Sequence, residues 1–321
     1  MALRDRVRGR AAHALSTAAQ RLSPPPPPPE PPPPPAPPPV PAPEPESAEE
    51  PPSVRYARVD ALVPKLHLHH EVDDYESRKL ELIDYFGWET GHKADACRRW
   101  FFGDDPKHDE FLERLGITYW EYSVMHQYAL FNRFDRHRKD LFWVWDEIMR
   151  RLDDLGGPER LSVLDFGSGL GQIGLAFTLE GYRTVLAEKV PEQVEFAKFL
   201  GRQRGVELEV HQASGDRDYY DTGADGRPFG CVVEWSVFEH VYELKKCTET
   251  ITRGLVPGGI FVTTTLAKDW TPELREHYIH DAGDEEISDQ LFSQDIEDYV
   301  RENFEVVSPP DTIAKLLIKK G

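Results

Sequence analysis

The stretch VLDFGSGLGQIGLAFTLEGYRTVLAEK, beginning at Val163, constrains the fold more than any other part of the chain. It reads as a buried strand, a turn carrying Gly167, Gly169, Gly171 and Gly174, a helix and a second strand. Glycines without a Cβ permit a tight turn and bring amides at a helix N-terminus close to a ligand, a place suited to a carboxylate or a phosphate. Glu188 ends the second strand 19 residues after Gly169, where a carboxylate can accept hydrogen bonds from both hydroxyls of a ribose. From Leu161 onward the apolar runs LSVLDF, TVLAE, LEVHQ, GCVVEW, GIFVTTT and IAKLLIKK alternate with helical patterns. That alternation predicts a parallel sheet with crossover helices, and a ligand at the carboxyl ends of its strands.

Two cofactor classes satisfy this pattern. The run from Gly169 to Gly174 spells GxGxxG, the dinucleotide fingerprint, and a glycine match by itself is weak. Asp165, two residues before the first glycine, would set negative charge toward a pyrophosphate, whereas it suits a ligand with an ammonium group. S-adenosylmethionine has that ammonium, together with a carboxylate, a ribose and a cationic sulfonium. The rivals are an NAD-dependent oxidoreductase on the same glycines, and a non-catalytic binding or scaffold protein that keeps a degenerate cofactor fold.

Several motifs in order now carry a resemblance. VLDFGSGLG, Glu188, FGCVVEWSVFEHV and ITRGLVPGGIFVTTT together resemble the class I S-adenosylmethionine-dependent methyltransferases, in particular the small-molecule branch that includes quinone-biosynthesis methyltransferases. The resemblance spans about residues 160 to 318. It implies an α/β fold with a Rossmann-like, doubly wound and mostly parallel sheet, preceded by a helical lid. It also implies methyl transfer to a small-molecule or glycan-like acceptor at oxygen. By the same resemblance Asp165, Gly167, Ser168, Gly169, Gly171 and Glu188 hold the cofactor, Ser214 stands where an acidic residue usually meets adenine, and Glu234 and Trp235 lie beside the cofactor. The sequence departs from the family at Ser214, with Asp216 two residues further on.

Methyl transfer is an in-line displacement, so a base is needed only if the acceptor must lose a proton. His240, after the fourth strand, is one candidate, and its bland alternative is a helix-packing residue. His277, with Tyr278 and His280 after the fifth strand, is the other candidate, against the alternative of a surface helix cap. HLHHEVDD is dense in nitrogen and oxygen ligands, yet alternate residues of an extended stretch face opposite ways, so no metal site is assigned.

The region 54–157 reads as helical and aromatic. YESRKLELIDYFGW, FLERLGITYWEYSVMHQYALFNRF and RHRKDLFWVWDEIMRRLDDLG each repeat apolar residues at three and four. In the last, Leu141, Trp145, Ile148, Leu152 and Leu155 share a face, and Gly156-Gly157-Pro158 stops the helix. Most of the stripe Tyr119, Trp120, Tyr122, His126, Tyr128, Phe131 and Phe134 is expected in the core. The methyltransferase domain is expected over 158–321.

Ahead of these, 19 of the 28 prolines lie between Pro24 and Pro52, so residues 23–53 are expected to be polyproline II or disordered, a linker outside any core. Residues 1–22 carry five arginines against Asp5 and form a basic leader that can be helical, with room for a weak contact to a membrane surface or a partner. The formal charge of −19 argues against nucleic acid as a partner. The three cysteines form no CxxC pair, which fits a reducing cytoplasmic compartment. No apolar run approaches the roughly 18 to 20 residues that cross a bilayer.

Overall fold

The computed structural model describes residues 58, 61–62, 65–66, 74–101, 108–125, 127–128, 141–212, 227–266, 290, 293–307 and 314–321. The basic leader, the Pro-rich linker, HLHHEVD, His126, Phe131, Phe134, Ser214, Asp216, His277, Tyr278 and His280 lie outside them.

The helical region comprises α1 (Asp74–Phe86), α2 (His92–Phe101), α3 (His108–Leu115), α4 (Tyr119–Met125) and α5 (Phe142–Asp154). The apolar pattern that starts at Phe111 is divided between α3 and α4. Gly116 takes a left-handed φ of 62° and ends α3. Thr118 then opens α4 with a capping box, since the Glu121 amide donates to Thr118 Oγ1 (3.1 Å) and the Thr118 amide to Glu121 Oε2 (2.6 Å). The restart puts Tyr119 and Trp120 in an exposed first turn, 59% and 38% accessible, against the expectation of a core stripe, whereas Tyr128 is buried. In α5 the predicted face holds: Trp145, Ile148 and Leu152 are fully buried, with Leu141 just ahead of the helix.

The sheet follows. Its strands are β1 (Ser162–Phe166), β2 (Arg183–Glu188), β3 (Glu209–Gln212), β4 (Phe229–Glu234), β5 (Leu255–Thr263), β6 (Phe304–Val307) and β7 (Lys315–Lys319). They are linked by α6 (Gln172–Leu179), α7 (Pro191–Gln203), α8 (Leu244–Gly254) and α9 (Gln294–Asn303). The order is β3-β2-β1-β4-β5-β7-β6. Strands β1 to β5 pair in parallel, while β7 runs antiparallel to both β5 and β6. This is the expected α/β architecture: a mostly parallel sheet, doubly wound, Rossmann-like. The chain leaves β1 for β2 and β3 on one side and returns to β4 and β5 on the other, so the switch point lies between β1 and β4.

β1 and β4 are buried along their whole length, as strands covered by helices on both faces must be. One hydrophobic cluster joins Leu82, Val124 and Met125 of the helical region to Trp145, Val163, Val233 and Trp235. A second packs Phe166, Phe238, Phe261 and Phe304 on the opposite face. The helical region therefore shares its core with the sheet.

Candidate active site

Four carboxylates, each less than a tenth exposed, gather at the carboxyl end of this sheet: Asp165 in β1, Glu188 ending β2, Glu234 ending β4, and Glu239 in the 3₁₀ turn Phe238–His240. Buried acids persist only with strong donors around them, and the partners of each define its task.

Asp165 Oδ2 accepts from the Gly174 amide at 2.8 Å, tying the first turn of α6 to β1. Glu188 Oε2 accepts from the Gly169 amide at 2.7 Å, while Oε1 takes the amides of Lys189 and Val190 at 2.8 and 2.9 Å. A carboxylate has about four acceptor positions, so one of them, on Oε2, is left for a ligand hydroxyl. While the Gly169 bond is made, Glu188 has room for one further hydroxyl rather than for two.

Glu234 is filled. Its Oε1 accepts from the amides of Val237 (2.8 Å) and Phe238 (3.2 Å) and from Thr265 Oγ1 (2.8 Å), and its Oε2 from Thr263 Oγ1 (2.5 Å). Its carboxylate therefore clamps the ends of β4 and β5 to the turn between them. Trp235, beside it, packs into the main hydrophobic cluster and is 7% exposed. His240 is exposed in the 3₁₀ turn, where its amide donates to Val237 O at 2.8 Å. Ser214 and His277 fall outside the described residues.

The glycines divide by what a Cβ would strike. At Gly167, φ +66°, it would stand 2.3 Å from Val237 Cγ2, so the loops after β1 and β4 touch there and leave space only for hydrogen. Gly171 and Gly174 are pressed against Leu186 instead. Protein packing requires glycine at these three positions. Gly169 differs: among the described residues, the one atom near its Cβ position is Gln127 Oε1, 3.4 Å away. The loop amides also differ from expectation. Those of Gly167 and Ser168 donate to Ala187 O and that of Gly171 to Ser168 O, so with Gly169 and Gly174 they are committed within the protein rather than offered to an anion.

Sequence reasoning missed the threonines that serve this edge. Thr263, Thr264 and Thr265 are almost fully buried, and Thr264 Oγ1 receives the amide of Ser236 at 2.9 Å. Ser236 has φ 54°, a left-handed conformation that costs a non-glycine residue energy and that gathers at functional sites. The TTT run ending the fifth apolar strand was the available signal.

A cationic nucleoside fits these residues. Ser168 Oγ is buried in the loop with no hydrogen-bond partner among the described residues, so a ligand group can satisfy it. The surrounding acids favour positive charge.

A family model described as "Methyltransferase domain" matches residues 132–308, more than half of the chain. The chain belongs to the S-adenosylmethionine-dependent methyltransferases of class I. It is 28% identical over 121 residues to the tRNA 5-carboxymethoxyuridine methyltransferase of Escherichia coli (strain K12), covering 36% of this chain and 44% of that one. It is 28% identical over 177 residues to a ubiquinone biosynthesis O-methyltransferase of Cereibacter sphaeroides (strain ATCC 17025 / ATH 2.4.3), covering 51% and 65%. The chain thus spans about half to two thirds of the length of these relatives. Among solved structures, the PH0226 protein from Pyrococcus horikoshii OT3 matches at 16% identity with a TM-score of 0.43, over 62% of this chain and 97% of that one. For this methyltransferase the co-substrate is S-adenosylmethionine.

Proposed function

We propose that this methyltransferase transfers the methyl group of S-adenosylmethionine to an oxygen atom of a small-molecule acceptor, glycan-like acceptors included. The observation that carries the cofactor side is the set of four buried acids around the glycine loop, beside the buried Ser168 Oγ, unpartnered among the described residues. Oxygen as the target is favoured by the O-methyltransferases among the similar proteins. A formal charge of −19 counts against an RNA acceptor, although one similar protein is named for tRNA.

When bound, S-adenosylmethionine supplies a methyl carbon made electrophilic by positive sulfur. The chain's own part is to bind and align. Glu188 offers its remaining Oε2 position to a ribose hydroxyl, and Ser168 Oγ takes a second polar contact. Glu234 keeps the turn after β4 against β5, so that His240 stands at the rim. His240 is our candidate for receiving an acceptor hydroxyl proton, and His277 the second. Incubation with methyl-labelled S-adenosylmethionine and a panel of phenols, catechols and sugars tests the reading. Label in an ether product supports oxygen transfer; label only in amines, or only in RNA added to the same assay, contradicts it.

No helix among the described residues is long and apolar enough to cross a membrane.

A further inference from the structure

The helical region sends the polar side chain of Gln127 to the glycine loop. Gln127 lies in a π-helical turn with Tyr128 just after α4, and turns of this kind interrupt helices most often where function needs them. Its Nε2 donates to Ser123 Oγ at 3.2 Å, one helical turn earlier. That bond turns the amide so that Oε1, an acceptor, faces Gly169.

The turn is held firmly. Tyr128, next in the chain, is buried, packs edge-to-face on Phe196 of α7 with ring centroids 5.1 Å apart, and its hydroxyl donates to Glu81 of α1. Arg204, the residue capping α7, donates to the same hydroxyl at 3.1 Å and pairs with Glu81 at 2.8 Å. Arg78 of α1 donates to the Tyr128 carbonyl at 2.8 Å. A side chain beside such an anchor is placed before a ligand arrives, which lowers the ordering cost of binding.

The chemistry at Gly169 specifies what an acceptor there meets. The Gly169 amide already donates to Glu188, and Asp165, which the motif suggested for the ammonium, has Oδ2 engaged with Gly174. We infer that Gln127 Oε1 accepts a hydrogen bond from the ammonium of the amino-acid end of S-adenosylmethionine. The helical region thereby reads whether the cofactor carries its amino acid. This rests on the S-adenosylmethionine reading of the glycine loop and adds a residue that no motif supplies.

The test compares two ligands of the full chain. S-adenosylhomocysteine keeps the amino-acid end, and 5′-methylthioadenosine keeps the nucleoside and sulfur without it. Gln127→Met retains side-chain length and removes the acceptor; Gln127→Glu retains an acceptor oxygen. Calorimetry is expected to show S-adenosylhomocysteine weakened about tenfold or more by Gln127→Met, as loss of one hydrogen bond to a charged group requires. Binding of 5′-methylthioadenosine should stay within about twofold, and Gln127→Glu should restore tight binding of the longer ligand. Equal S-adenosylhomocysteine affinity in wild type and Gln127→Met overturns the inference, as does a parallel loss for both ligands or a Gln127→Met chain that no longer melts cooperatively, since Gln127 would then serve the fold. A wild-type chain that binds neither ligand refutes the cofactor reading itself, an outcome distinct from these.

Discussion

Arg204 at the end of α7 pairs with Glu81 of α1 at 2.8 Å, with the two side chains only 2% and 15% exposed. This ion pair crosses from the sheet domain into the helical region, and Arg204 Nη2 also donates to Leu66 O at 3.2 Å. Removing one partner of a buried pair leaves the other charge without compensation, at a cost of about 3 to 5 kcal/mol. Arg204→Met is therefore expected to lower unfolding free energy by about that much in urea titration. Arg204→Lys should recover only part of it, because an ammonium cannot reproduce the planar fork that serves Glu81, Tyr128 and Leu66 together.

The glycine loop gives an ordered pair of effects. Alanine at 167 must place its methyl 2.3 Å from Val237, whereas at 169, among the described residues, it meets only Gln127 Oε1 at 3.4 Å. Both positions are left-handed, which costs an L-residue roughly 1 to 2 kcal/mol. Gly167→Ala should be clearly the more destabilising by thermal melting. Gly169→Ala should keep most of its stability and lose mainly cofactor affinity. Equal destabilisation would contradict the division of roles.

Buried Cys97 has its thiol pushed up to about 12, by burial first and by the Glu121 charge second. The Tyr122 phenol is likewise raised to about 12, chiefly by burial. A raised folded-state value means that the native state holds its proton where the unfolded chain has released it. This stability is whole below the unfolded values, about 9 for the thiol and 10 for the phenol, and is lost as pH climbs toward 12. Denaturant midpoints are expected to fall over pH 9 to 12. In the native protein Cys97, Cys231 and Cys247, all buried, should resist a thiol reagent at pH 8 and react together on unfolding.

How much of this was legible beforehand depends on the kind of interaction. The strand, glycine turn, helix and second strand could be read because their spacing is local and periodic. The acids at 165, 188 and 234 could be placed at strand ends for the same reason. Their partners could not. Glu234 meets Thr263 and Thr265 across β5, and Glu188 meets Gly169 across β1, contacts that exist only once the sheet is assembled. Gln127 was hidden inside an aromatic stripe, where a lone amide leaves no pattern. The short strand FEVV was missed because a few residues show too little alternation to stand out from the helix before them.

The N-terminal segment is proposed to be dispensable for chemistry. Deleting residues 1–53 is expected to leave melting temperature and turnover on a soluble acceptor unchanged. A large loss of turnover would show that the segment takes part in catalysis.

The most direct measurement is calorimetric titration of S-adenosylhomocysteine and of NADH into the full-length protein and its Glu188→Ala variant. The expected result is saturable binding of S-adenosylhomocysteine, at least about tenfold weaker in the variant, and no heat from NADH. Tight NADH binding with no response to S-adenosylhomocysteine would contradict it.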